Sequence, residues 1–305
     1  MVKNFLFHRV HPVRDPLWDP MDVALFDRCI SYISRHYQVV LIEDLIGNPT
    51  LLAQRNIATI MFDDGYKDNI EYAAPILDKY GCKASFYVVT DCIEHNIPTW
   101  THILEHSFLS TKISNVNLMF EFIPLELRVT SLPTREARLD YVKKLKPILK
   151  KVPHEQRNMI LRRVQDTYTD VAIPRLMMTW EDLSLLRSKG HYIGSHTVSH
   201  CVLGTMTDTE EIRQELRVSG QLIEQHLGYF PKTISYPVGS YDQTTIRLSQ
   251  EVGYTIGLAV KQKPYEPEED SVFEIPRIEL YNESWFKTLM RITNLLEKAK
   301  KLIRY

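Results

Sequence analysis

A chain of 305 residues, 44% hydrophobic and 25% charged, has the make-up of a folded globular protein that can bury a large core without staples. Its Lys+Arg total of 37 against Asp+Glu 38 leaves a net charge of −1, which removes the global argument for a nucleic-acid binder. No apolar run nears the ~18 residues that span a bilayer, the scrap before His8 and Arg9 is too short for a secretion signal, and the four cysteines form no CxxC pair.

The expectation is therefore a reduced, cytoplasmic protein without a transmembrane segment. Phe5–Val10 and Val39–Ile42 read as strands, with a helix over Val23–His36 between them. Ile57–Phe62 is an unbroken apolar run of the buried-strand type, and it stops abruptly at Asp63-Asp64-Gly65. Asn69–Tyr80 places Ile70, Ala73, Ala74, Ile76 and Leu77 close to a helical period, and Gly81 ends that helix. Ala84–Val89 is the next strand.

The segment from Asp91 to Pro174 breaks the rhythm with Pro124, Pro133, Pro147 and few strand signals. Within Arg128–Arg163 it carries eleven Lys/Arg against three Asp/Glu, a local net of +8. Such a run is either a solvated helical face or a basic lid that attracts a phosphorylated substrate. After it, His191–Ile193 is strand-like. Asp208 is placed to cap a helix running to Leu227, with Glu211 as its capping-box partner. Ile234–Val238 and Thr255–Val260 are further strands. The C-terminal stretch Phe286–Tyr305 is amphipathic and basic, which leaves packing on the parent domain or peripheral membrane contact as its two readings. Alternating strands and helices predict an α/β architecture with a mainly parallel sheet, as a barrel or open.

Two features carry chemistry. Asp63 and Asp64 stand side by side at the carboxyl end of a buried strand, where α/β sheets bind ligands. One can hold a cation while the other handles a proton, and the bland alternative is a turn whose side chains cap backbone N–H groups. His196 and His200, four apart, share a face on a helical turn, the spacing of imidazole pairs that hold zinc. Two imidazoles and one carboxylate leave a position open for water, as a catalytic metal site requires.

Met61-Phe62-Asp63-Asp64-Gly65 resembles the first motif of the polysaccharide deacetylases, the NodB-homology or carbohydrate esterase family 4 group. Ser195–His200 resembles the second motif, His-Ser/Thr-x-x-His. Ile234–Gly239 resembles the third in its Phe-x-Tyr-Pro-x-Gly version. Trp180–Leu183 and Gly253-Tyr254 fit the same pattern, and the resemblance spans roughly 5–36, 57–89 and 178–280. It implies a distorted (β/α)7-type barrel built from residues 1–90 and 175–305, with 91–174 as a largely helical insertion. It implies a divalent metal, zinc first, with cobalt, nickel or manganese as alternatives, held by Asp64, His196 and His200. Asp63 would be the general base, and Tyr66, Tyr236, Pro237, Val238 and Trp180 would contact substrate. Trp100 and Trp180 are candidates for stacking on a sugar ring and equally for the core.

Two departures from the family pattern matter. Ser235 and Val238 stand where the common third motif has an Arg and a Tyr, and Arg277 resembles the Arg that then restrains the base. No histidine follows His226, so the usual late general acid is missing, and Phe7-His8-Arg9-Val10 resembles its N-terminal replacement. The function implied is removal of an acetyl group, most simply the N-acetyl of an amino sugar. An O-acetyl esterase and an inactive glycan-binding barrel are the alternatives. Without a secretion signal the expected substrate is a lipid-linked or nucleotide-linked sugar or a growing cell-surface glycan. Lys143, Lys144, Lys150 and Lys151 would then face a pyrophosphate. Nothing in the sequence speaks to oligomeric state.

Overall fold

The computed structural model describes residues 1–295. The strands are β1 (Lys3–Phe7), β2 (Gln38–Val39), β3 (Ile57–Phe62), β4 (Ser85–Val88), β5 (Asn115–Asn117), β6 (Val129–Ser131), β7 (Tyr192–Ser195), β8 (Thr233–Ser235), β9 (Ile256–Leu258) and β10 (Ile278–Glu279). Eight of them form one sheet in the order β10-β1-β3-β4-β7-β8-β9, with β2 also against β3, and every pairing in it is parallel. Ile275 exchanges backbone hydrogen bonds with Gly257 and Ala259 beside β9, and three residues later Ile278 pairs with Phe5 of β1. The segment 275–279 thus joins both edges of the sheet and curls it into the expected distorted barrel.

Strand alternation sorts the core into two layers. Phe5, Phe7, Ile60, Phe62, Phe86 and Val88 lie under the outer helices, with Phe62 and Phe86 stacked at 4.9 Å. Leu6, Met61, Tyr87 and Leu258, one residue out of phase, fill the barrel interior with Ile275. Covered on both sides, β3 has all six residues buried, which is why its sequence is continuously apolar. The interior also holds Glu43, 4% exposed, whose carboxyl accepts from Ser85, Tyr87 and Thr233.

The helix Val23–His36 forms as expected, started by Asp22, whose side chain accepts from the N–H groups of Ala24 and Leu25. Asn69–Tyr80 does not make one continuous α-helix. A π turn over Asn69–Ala73 gives way to Ala74–Lys79, because Pro75 brings no N–H to the helical ladder. Asp208 caps the helix Thr209–Leu227, but the Glu211 half of the expected capping box does not form. Gly228, at φ 78°, closes that helix in the left-handed conformation.

Residues 100–168 supply nearly all of a separate apolar cluster, centred on Leu104, Phe108, Tyr141, Leu145, Ile160 and Val164. Its main helices are Trp100–Ser110, Arg135–Leu149 and His154–Thr167, beside the antiparallel pair β5–β6. Not all of its positive charge faces solvent. Arg138 is 9% exposed and donates to the carbonyls of Leu132, Phe108, Thr111 and Ile113, and Arg157 is buried as well. At the other end of the chain, the helix Trp285–Ile292 packs on Val23–His36, with Arg28 over the Trp285 ring. Residues 296–305 of the basic C-terminal stretch lie outside the described residues. No described helix is long and apolar enough to cross a membrane.

Candidate active site

The carboxyl ends of β1, β3, β7 and β8 converge on one cavity of about 420 Å³, walled in part by His8, Asp63, His196, His200 and Val238. Asp63 continues the alternation of Thr59 and Met61, so its side chain enters the barrel. Asp64 then turns at φ 76° and Gly65 at φ 89°, where a Cβ would also press on Ile93 and Val88 at about 3.0–3.1 Å. That left-handed pair reverses the chain and presents the two carboxylates in different directions.

Asp63 is buried and fully engaged. Arg277 donates from Nη1 to Oδ1 at 2.8 Å, and Ser235 donates from Oγ to Oδ2 at 3.1 Å. The guanidinium is itself anchored by a bond from Nε to the Ala259 carbonyl at 3.1 Å. Burial pushes the Asp63 carboxyl up, but Arg277 and then His196 outweigh it and hold the group below the usual carboxylate range.

Asp64 has the opposite character. Both its oxygens are buried and neither takes a hydrogen bond of normal geometry. His196 Nε2 stands 3.5 Å and His200 Nε2 3.3 Å from Oδ1. Burial opposes ionisation here too, and the two imidazoles, when they carry a proton on Nε2, more than offset it and hold Asp64 well below the usual range. His196 Nδ1 sits 2.7 Å from the Ser235 carbonyl, an acceptor only, so the proton of the neutral ring is on Nδ1. Its Nε2 lone pair then points at a carboxylate that already lacks donors. Among the described residues, one oxygen and two nitrogens within 4.8 Å of one another form the metal-competent group. The donor set and the orphaned oxygens fit a divalent metal.

The two imidazoles do not meet through a helical turn. Thr197 (φ 68°) and His200 (φ 57°) are left-handed, and the loop between them is fixed from outside. Glu215 accepts from the N–H groups of Val198 and Ser199, both at 3.0 Å, and from Ser199 Oγ at 2.6 Å. Trp100 donates from Nε1 to the His200 carbonyl at 3.0 Å. Of the seven non-glycine residues at positive φ among the described residues, three are asparagines, which tolerate it, and the other four are Asp64, Thr197, His200 and Val238. Backbone strain is thus concentrated at this site.

His8 follows β1 on the cavity wall, its Nδ1 3.5 Å from Glu279 Oε1 and its ring 5.2 Å from that of Trp18. Val238 is 38% exposed on the rim, behind buried Pro237. Three expected substrate contacts lie elsewhere. Tyr66 is fully buried, with Arg9 over its ring and its hydroxyl 3.3 Å from His102, because the turn after Gly65 sends it back under the wall. Tyr236 is fully buried against Tyr241, since it faces away from the cavity on the residue before Pro237. Trp180 stacks on His226 at 4.2 Å and donates to Glu94, at the start of an outer helix and away from the cavity. Trp100 is a core residue that positions His200 rather than an open platform. Of the four expected lysines only Lys150 is on the cavity wall, joined there by Lys146, while Lys143 and Lys144 are exposed and Lys144 pairs with Asp140.

Ser235, Glu215, Glu279 and Trp18 were not singled out as site residues by sequence reasoning. Ser235 alone had a signal, as the residue standing where a motif Arg was expected.

A family model for polysaccharide deacetylases matches residues 53–257. YxkH of Bacillus subtilis (strain 168), whose name places it among polysaccharide deacetylases, is 21% identical over 202 residues. That match takes in 66% of this chain but only 44% of the relative, so the chain spans less than half of that protein's length. Among solved structures, the Streptococcus pyogenes deacetylase PplD in complex with acetate superposes with a TM-score of 0.63 at 16% identity, covering 95% of this chain and 96% of that one. The de-N-acetylase from Aggregatibacter actinomycetemcomitans gives 0.58 at 18% identity, covering 94% and 98%. IcaB from Ammonifex degensii gives 0.57 at 14% identity, covering 94% of each chain. These likenesses establish the barrel, and the match over 53–257 carries both the Asp-Asp-Gly turn and the His196–His200 loop: the chain belongs to the polysaccharide deacetylase family.

Proposed function

We propose that the protein is a metal-dependent hydrolase that removes the N-acetyl group of an amino sugar within a glycan or glycan precursor. The observation that carries this reading is the contrast between adjacent carboxylates. Asp64 is stripped of hydrogen bonds and faced by two imidazole nitrogens, whereas Asp63 is held ionised by Arg277. Asp64, His196 and His200 would hold a divalent cation, zinc being the first choice for two imidazoles and a carboxylate. When bound, such an ion supplies Lewis acidity for the acetyl carbonyl and the attacking water.

The chain's own residues do the rest. Asp63 takes the proton of the attacking water, as a general base whose orientation Arg277 and Ser235 fix. His8, across the cavity, gives a proton to the departing amine, and Glu279 holds its ring in place. Val238, on the rim, contacts the acetyl side of the substrate. Similar chemistry would serve an O-acetyl ester, but the His8 position, which supplies a proton to a poor leaving group, favours the amide.

The test is acetate release from N-acetylglucosamine oligomers by zinc-loaded protein, beside Asp63→Asn and a chelated sample. Release by the loaded wild type alone supports the reading. Equal release by Asp63→Asn, or activity untouched by chelation with zinc shown to be gone, overturns it.

A further inference from the structure

The cavity wall contains a cation that the mechanism does not use. Lys150 ends the helix Arg135–Leu149, and its N–H donates to the Lys146 carbonyl at 3.1 Å, one helical turn back, so both stems leave the same side and both reach the cavity. Lys146 is spoken for by Glu105, a 4% exposed carboxylate on the neighbouring helix. Lys150 has no such partner, although it is half-buried.

The other charges on the wall are each matched. Arg9 is bound by Asp68 at 2.8 Å, Asp63 by Arg277, and Asp19 by Arg14 and Asn282. Glu279 accepts from the Tyr281 hydroxyl and faces His8. Lys150 is therefore the one lysine or arginine on this wall without an ion pair among the described residues. Burial and then Lys146 push its ammonium down against the weaker pull of Glu105, Glu279 and Asp64, and an anion seated beside it would counter that push. A half-buried unpaired ammonium facing the substrate space is costly unless something entering that space completes it.

We propose that Lys150 receives an anionic group carried by the acetylated sugar, so that the substrate is a negatively charged glycan, either a sugar phosphate or a sugar carboxylate. This rests on the deacetylase reading for the word substrate, but its binding arm does not need turnover. An ammonium is a point charge and accepts either anion, provided the group lies on the side of the sugar nearest the insertion. Neutral hydroxyls would leave the charge unmatched.

The experiment compares N-acetylglucosamine, N-acetylglucosamine 1-phosphate and N-acetylmuramic acid on wild type, Lys150→Gln and Lys150→Arg. Binding is read by calorimetry, and acetate release by KM and kcat separately. Wild type should bind at least one charged sugar tenfold or more tightly than the neutral one, and Lys150→Gln should collapse that ratio through KM, while Lys150→Arg keeps it. A preference for the phosphate alone or the carboxylate alone identifies the source of the charge. No preference for either charged sugar, or a preference that Lys150→Gln leaves intact, overturns the proposal. An equal loss of kcat on all three would also overturn it, since Lys150 would then act on the acetyl group they share. Binding with the expected preference but without acetate release, from these sugars or from the oligomers, would instead sink the deacetylase reading and leave the anion site standing.

Discussion

Arg277 and Asp63 form an ion pair whose partners are 0% and 2% exposed, so the pair offers a sharp energetic test. At the observed 2.8 Å the attraction is about 6 kcal/mol for an effective dielectric of ~20. Desolvating the two ions costs several kcal/mol each, so the intact pair contributes little net stability. Removing one member is different, because the other keeps its desolvation cost and loses its compensation. Arg277→Met leaves Asp63 with the Ser235 hydroxyl as its remaining hydrogen bond and His196 at 3.9 Å, and a loss of roughly 3–5 kcal/mol is expected. Asp63→Asn keeps an amide oxygen that can accept from Arg277 but removes the countercharge of a buried guanidinium whose Nη2 already lacks a partner, and should cost about as much. The double variant buries no charge, so its loss should be well below the sum, with a coupling of at least ~2 kcal/mol. The assay is urea unfolding of all four proteins at neutral pH with chelator present, which keeps metal out of the comparison. Losses that add to within ~0.5 kcal/mol would refute the claim that these charges are held by each other.

Other expectations follow from the surrounding shell. Glu215→Gln removes the charge that gathers the Val198 and Ser199 N–H groups, so zinc affinity should fall by about 10- to 100-fold in a chelator competition, and unchanged affinity would show that the loop holds itself. His191 is buried beside Phe86 and accepts from the Ala84 N–H, and burial lowers it to about 4, so it is neutral in the folded chain. The unfolded chain binds its proton first, so this contribution is complete above ~6.5 and is lost as pH falls towards 4, about 2 kcal/mol of it by pH 5. His191→Gln, which keeps an acceptor, should flatten urea stability between pH 5 and 7, and an unaltered slope counts against the assignment. His8→Gln should cut kcat by about 100-fold or more on an N-acetyl sugar yet far less on an acetate ester with a good leaving group, and equal losses on both would remove His8 as the proton donor.

What the sequence disclosed and what it hid divide along a physical line. β3 was legible to the residue because a strand covered on both faces leaves an unbroken apolar run, and Val23–His36 because Phe26, Cys29, Ile30 and Ile33, the residues it buries, recur at the helical period. The grouping of Asp64, His196 and His200 was legible because both motifs follow strands and parallel strands deliver such residues to one rim. The loop geometry was not. Spacing of four looks helical, and only the left-handed Thr197 and His200 reveal that these rings meet through a strained turn. Aromatic residues were ambiguous for a related reason. Tyr66, Tyr236 and Trp180 stand near the motifs in sequence, but a reversal or one strand register decides which side of the wall a ring occupies. The basic run, likewise, gave a charge count without saying that Arg138 is consumed by carbonyls inside the cluster while Lys150 reaches the cavity.

The closing segment 275–279 gives the molecule an unusual divisibility. Arg277 and Asp63 are 214 positions apart, and a cut anywhere in the insertion would leave His8, Asp63 and Asp64 on one piece and His196, His200 and Arg277 on the other. Neither piece alone would own a balanced base or a complete set of donors, so hydrolysis would report that the two had rejoined. The same partition makes complementation between separately expressed halves an all-or-none signal, with the cluster around Leu104 and Phe108 as the place to vary the break.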